Sequence, residues 1–240
     1  MIETGVILDI IRLFAGFVIL FYASYTDIKT RRASNILWLI LGSIGGTLLL
    51  VQYITIGFRD KTMYLIFIPI MICLVYLLFQ LRLIFGGADA KALMALAILV
   101  PFHPTINQLP LWGESLMPAS WAIFSNSIIL FLFIPIGMLF YNIAKRNIKF
   151  PYSILGYKLS VDKAREKFVW PLEKLVDGKQ KFVYIPKNFD VEEEFDEFEK
   201  HNIKKIWVTP KIPFMIPLLL GFIFLFIFGD ILYFIMNLFF

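Results

Sequence analysis

The sequence predicts an all-α polytopic membrane protein: six transmembrane helices, with a small cytoplasmic α/β domain between helices five and six. Three observations carry this expectation. Of the 240 residues, 59% are hydrophobic and 26 are Phe, and the mean hydropathy is +0.77. A soluble domain could not bury that much apolar surface. Apolar runs recur at lengths close to the roughly 20 residues that a helix needs to cross a hydrocarbon core. Charge is concentrated in one stretch, 143–211, whose composition differs from everything around it.

The segments follow in order. The first covers 5–25. Asp9 and Arg12 interrupt its apolar run and no A-x-A-like site follows, so it reads as a span and not as a secretory signal. The second covers 36–56, where "GSIGG" sets Gly42 and Gly46 at G-x-x-x-G spacing, suited to close helix packing. The third, 63–84, holds Cys73, the single cysteine, which excludes an internal disulfide or a cysteine-cluster zinc site and reads as packing. The fourth runs from Asp89 to Val100, stopped by Pro101. At roughly 18 Å it is too short to cross, so the G-G-A-D turn before it is expected to dip below the membrane surface beside water. The fifth and sixth cover 121–141 and 212–238. The domains are thus 1–142, a five-helix region; 143–211, a soluble domain; and 212–240, the last helix.

Within 143–211, "KFVYIP" and "KKIWVTP" read as strands and "VDGKQ" as a turn. "DVEEEFDEFEKHN" reads as a helix with Phe195 and Phe198 on one side and a solvated acidic face on the other.

The connections set the orientation. Lys29, Arg31 and Arg32 follow the first span, and Arg82 and Lys91 flank the third and fourth. Lys145, Arg146 and Lys149 follow the fifth, and Lys204, Lys205 and Lys211 precede the sixth. The other side carries only Arg59 and Lys61. Basic loops stay in the cytoplasm, so the N-terminus is expected outside and the soluble domain inside. Trp112 and Trp121 are expected near the outer interface.

Charges inside spans are costly and mark function or pairing. Five stand out: Asp9, Arg12, Asp27, Asp89 and Asp230. Arg12 and Asp230 lie at similar depth toward the outside and are expected to form a structural ion pair, shared with Asp9. Asp27, at a helix C-terminus, and Asp89, at a helix N-terminus, share the cytoplasmic depth. Two carboxylates at one depth suit aspartic-protease chemistry, in which one takes a proton from water and the other polarises a carbonyl. Residues alone leave two alternatives open: an N-cap at Asp89 with a surface pair at Asp27, or a proton or cation pathway through both.

"GGADAKALMALAILVP" resembles the G-x-x-D motif of type IV prepilin peptidases and archaeal preflagellin peptidases, and "YTDIKTRRASN" resembles their other aspartate motif. The match rests on Asp27, Asn35, Gly86, Gly87, Asp89 and Lys91, and "TPKIPFMIPLLLGFIFLFIFGDIL" resembles the C-terminal segment of archaeal members. The resemblance implies a GxGD-type aspartic endopeptidase, with Asp27 and Asp89 as the catalytic dyad. It would remove a short basic leader from prearchaellins or prepilins at the cytoplasmic membrane face. Gly86, Gly87 and Ala88 would position substrate near the dyad, with Asn35 and Lys91 as supporting motif residues. Ala88 departs from a literal G-x-G-D. The resemblance implies no metal and no organic cofactor. One cysteine cannot build the zinc-binding loop of many bacterial members, and His103 and His201 lie on opposite sides. The expected partners are the lipid bilayer and the precursor substrates, and no nucleic acid. A presenilin-like intramembrane protease and an ion-coupled carrier are the competing functions.

Overall fold

The structure is a computed structural model that describes residues 3–83, 86–113, 115–176, 178–183 and 191–239. In chain order its helices are α1 (Thr4–Thr30), α2 (Asn35–Thr55), α3 (Phe67–Gln80), α4 (Gly87–Leu99), α5 (Ala119–Ala144), α6 (Tyr152–Leu155), α7 (Val161–Arg165), α8 (Val191–Lys200), α9 (Met215–Ile227) and α10 (Ile231–Phe239). The strands are β1 (Tyr157–Ser160), β2 (Val169–Pro171), β3 (Glu173–Val176), β4 (Lys179–Phe182) and β5 (Lys205–Pro210), and a 3-10 helix covers Arg59–Ile66. Contacts divide the chain into two compact units, Met1–Phe131 with Pro213–Phe240, and Leu132–Ile212.

The first unit is a helical membrane body. α1 stops where Arg31 turns left-handed (φ 56°) and its N–H bonds back to the Asp27 carbonyl at 3.0 Å. α2 restarts behind Ser34, whose hydroxyl accepts the Ile36 N–H at 3.4 Å, a capping arrangement that satisfies an orphan donor. The short connection sets the C-terminus of α1 beside the N-terminus of α2.

α4 is the interior helix. Ala90, Ala92, Leu93, Ala95, Leu96, Ala97 and Leu99 are all buried, and its small residues let α2 and α3 close on it. The tightest approach is at Gly45: a Cβ there would stand 2.7 Å from the backbone of Leu99. The G-x-x-x-G expectation is corrected by this. Gly46 has nothing within 4 Å and Gly42 meets only a methyl of Ile98 at 3.8 Å, so the packing glycine is the one between them.

The six expected transmembrane helices are met in part. Among the described residues, four helices are long and apolar enough to cross a membrane, or five spans if α9 and α10, bent by 60°, count as one. The expected fourth segment is α4, at 13 residues about 20 Å long at ~1.5 Å per residue. Extended chain completes its path: the Thr105 N–H reaches the Asp9 carboxylate at 2.9 Å. Asp27 and Asp9 lie roughly 27 Å apart along α1 at ~1.5 Å per residue. α4 and the residues after it therefore run antiparallel beside nearly the whole of α1.

The last span breaks at Gly229, whose φ of +109° suits glycine. Asn126 of α5, fully buried, holds both sides of the break: its amide donates to the Gly229 carbonyl and its oxygen accepts the Ile231 N–H, each at 2.9 Å. Trp112 stacks on Phe234 of α10 with ring centroids 4.0 Å apart. Cys73 is exposed on α3, so the expectation of an interior packing thiol is corrected.

The second unit carries a small α/β region. Its antiparallel sheet has the order β1-β5-β2, with Tyr157 opposite Val208 and Trp170 opposite Thr209, and β3 and β4 form a separate hairpin. β5 alternates: Ile206 and Val208 join Phe195 and Phe198 of α8 in one core, and Trp207 packs with Tyr152 and Leu172 in another. The acidic face of α8 is more than a solvated surface. The Arg165 guanidinium reaches Glu192 at 2.7 Å, Asp196 at 2.5 Å and Glu199 at 3.3 Å, three carboxylates on one helical stripe. A hydrogen bond with Glu194 lifts the Lys174 ammonium above its ordinary range. "KKIWVTP" forms β5, whereas of "KFVYIP" only the first two residues lie in a strand and 184–190 fall outside the described residues. β1, β2 and β3 were not expected.

Candidate active site

The expected dyad lies in the first unit. Asp27 sits in the last turn of α1 and Asp89 in the first turn of α4, and both side chains are half-buried. The Asp27 charge is felt at Asp89, so the two carboxyls lie within Coulombic reach of one another. Among the described residues neither carboxylate is held by a hydrogen bond or an ion pair. Gly86, not Asp89, is the N-cap residue of α4, and no capping bond from a side chain is made there. Lys29 instead lies over the ring of Tyr25, 4.5 Å from its centroid, and Arg31 is the basic group whose charge reaches Asp27.

The residues around Asp89 explain its placement. Gly86 has ordinary extended torsions (φ −90°, ψ 113°), so its glycine is required by space and not by backbone conformation. A Cβ at 86 would run into the Asp89 carboxylate, whose Cγ lies 2.7 Å from that position. At Gly87 a Cβ would meet only the ring of Phe79, at 3.6 Å. Ala88 packs against the hydrophobic core. Lys91, exposed on α4, donates to Oδ1 of Asn35 at the start of α2 at 2.8 Å. On the α1 side, Ser24 lies one turn before Asp27 and donates to the Met215 carbonyl at 3.0 Å, tying α1 to the start of α9.

The arrangement brings together Asp27, Asp89, Gly86 and the Asn35–Lys91 pair. Two carboxyls that feel one another's charge while partly screened from water resist being ionised together. That is the requirement for activating a water on one side of a carbonyl while protonating its oxygen from the other.

The expected Arg12–Asp230 ion pair is not formed. Arg12 is buried and bonds to Asp9 at 2.9 Å and to the Gln52 side chain at 2.7 Å. Asp230 accepts from the Ser115 hydroxyl at 2.8 Å and from the Leu232 N–H at 3.0 Å, capping α10. Similar depth did not mean the same side of the helix. The partner at i−3 was the nearer one, and Gln52, a lone amide in an apolar run, was the signal that sequence reading passed over. Only the Asp9 part of the expected cluster forms.

Residues 14–143, which contain both aspartates, match the model of the type IV leader peptidase family. Residues 148–231 match that of the archaeal peptidase A24 C-terminus, type II. Among curated proteins, the preflagellin peptidase of Methanococcus voltae is 29% identical over 235 residues, covering 90% of this chain and 94% of that protein. That of Methanococcus maripaludis is 29% identical over 228 residues, covering 88% and 92%. That of Methanocaldococcus jannaschii is 26% identical over 231 residues, covering 92% and 94%. With more than half of its length matched by the family model, the chain belongs to the type IV leader peptidase family, the A24 aspartic peptidases, and carries the archaeal form of the C-terminal region.

Proposed function

We propose that this enzyme removes the basic leader of preflagellins or archaeal prepilins at the cytoplasmic face of the membrane, with Asp27 and Asp89 as its catalytic pair. The single observation that carries the reading is the placement of two half-buried carboxyls within Coulombic reach on α1 and α4, neither held by a hydrogen bond or an ion pair among the described residues. The likeness to preflagellin peptidases over about nine tenths of the chain supports the substrate class.

One carboxylate takes a proton from water as its oxygen attacks the scissile carbonyl carbon. The other, protonated, gives its proton to the carbonyl oxygen. Collapse of the tetrahedral species breaks the C–N bond, the amine leaves with the proton that the base received, and a hydroxyl proton of the intermediate returns to the acid carboxylate. The α4 N-terminus favours an anion at Asp89 and the Arg31 charge favours one at Asp27, so the pair divides the two roles, one carboxyl ionised and one protonated when water attacks.

In the bilayer, α9 and α10 form one bent segment and α4 with its extended continuation a further crossing. The basic residues Lys29, Arg31, Arg32, Lys145, Arg146 and Lys149 support an orientation with the catalytic end and the second unit in the cytoplasm and the N-terminus outside. The test is co-expression with a precursor bearing a basic leader. Asp27→Asn and Asp89→Asn should each leave the precursor full length. Processing by either variant rejects the pair, and ion flux without processing would favour a carrier.

A further inference from the structure

We propose that the outer face of β2, formed by Phe168 and Trp170 with Lys167 and Lys211, docks on an anionic bilayer surface. β2 is an edge strand of its sheet. Its Val169 and Pro171 point into the core and Trp170 points out, as strand alternation requires. The Lys211 N–H bonds to the Phe168 carbonyl at 2.9 Å, extending the ladder one step beyond the Val169–Pro210 pair. Phe168 therefore falls on the same outward side as Trp170. Two large aromatics stand 49% and 44% exposed there.

Charge and chain continuity identify the occupant. The Lys211 ammonium lies 5.0 Å from the centroid of the Trp170 ring, and Lys167, next to Phe168 in the chain, is exposed. A tryptophan and a phenylalanine rimmed by lysines are the residue types that settle at a lipid headgroup layer. There the rings enter the boundary and the ammonium groups stay with phosphate. The chain leaving Lys211 reaches the apolar helix α9 at Met215 after only a few residues, each spanning at most about 3.5 Å. This strand end is therefore leashed to a segment that enters the membrane. A lysine-rimmed face held at that distance meets anionic headgroups before any soluble partner.

The test uses the full chain carrying Cys73→Ser, reconstituted in vesicles of anionic phospholipid. A nitroxide is attached at Phe168→Cys or, independently, Trp170→Cys, with exposed Lys181→Cys on β4 as reference. Collision with oxygen relative to a water-soluble nickel complex should be several-fold higher at 168 and 170 than at 181. It should fall in zwitterionic vesicles and on combining Lys167→Glu with Lys211→Glu. Equal ratios at all three sites overturn the proposal. So does protection from both reagents, the mark of a covering protein, and an unchanged ratio in zwitterionic lipid overturns the anionic surface.

Discussion

The ammonium of Lys91 donates to Oδ1 of Asn35 at 2.8 Å, joining the second turn of α4 to the first residue of α2. α2 follows α1 after a short turn, and Lys91 lies two positions beyond Asp89, so the bond fixes the α4 carboxylate against the helix pair that carries Asp27. Asn35→Leu and Lys91→Met should each slow precursor processing about tenfold. That corresponds to the roughly 1.5 kcal/mol of a hydrogen bond to a charged group at an accessible site. The double variant should be no slower than either single one, and Asn35→Asp, which keeps the acceptor, should retain most of the rate. Time courses on a purified precursor measure this. Multiplicative losses in the double variant would show two independent roles.

Adjacent glycines should differ sharply. At Gly86 a methyl collides with the Asp89 carboxylate, whereas at Gly87 it meets the Phe79 ring at an ordinary 3.6 Å. Gly86→Ala should lower the processing rate about 100-fold, the usual scale for a misplaced catalytic group, while its thermal midpoint stays near that of the parent. Gly87→Ala should remain active. Equal activity of the two variants would remove the steric account.

A second glycine pair tests packing. Gly45→Ala drives a methyl into the Leu99 backbone at 2.7 Å, whereas the methyl of Gly46→Ala meets nothing within 4 Å. The first should destabilise by about 1–3 kcal/mol, as overpacking does. The second should be neutral or stabilising by up to ~1 kcal/mol, because alanine is the better helix former. Thermal unfolding in detergent compares them.

The buried guanidinium of Arg12 bonds to Asp9 and Gln52. Arg12→Met leaves Asp9 with an uncompensated charge and should cost about 3–5 kcal/mol. Arg12→Met with Asp9→Leu should be milder than Arg12→Met alone. Reversing Asp230 together with Arg12 should give no rescue, since Asp230 is occupied by Ser115 and the α10 backbone. Recovery in that double reversal would restore the pairing expected from depth.

What could be read from the sequence follows from what depth and periodicity encode. Asp27 and Asp89 stand out because a carboxylate in an apolar run needs a reason, and Phe195 and Phe198 are buried as their spacing demands. Azimuth around a helix is not encoded in depth, which is why Asp9 and Gln52, not Asp230, hold Arg12. Nor does a G-x-x-x-G pattern say which of three neighbouring glycines faces the partner; the path of α4 selects Gly45. The short strands β1 to β3 carry too few apolar residues for alternation to show. Pairing with β5 creates β1 and β2, and pairing with β4 creates β3. Asn35 and Lys91 were implied only as separate motif residues, and the parallel packing of α2 and α4 joins them in a bond.

The enclosure of α4 bears on how the enzyme tolerates different lipids. The long helices α1, α2, α3 and α5 present apolar surface outward and must adjust their tilt when the hydrocarbon thickness changes. α4 is wrapped by its neighbours, tied to α2 through Lys91 and continued by chain anchored at Asp9. Its carboxylate therefore takes its height from protein contacts and not from acyl-chain length. When lipids are remodelled with growth temperature, α1 and α2 carry the bonded α4 with them as they tilt, and Asp89 keeps its level beside Asp27.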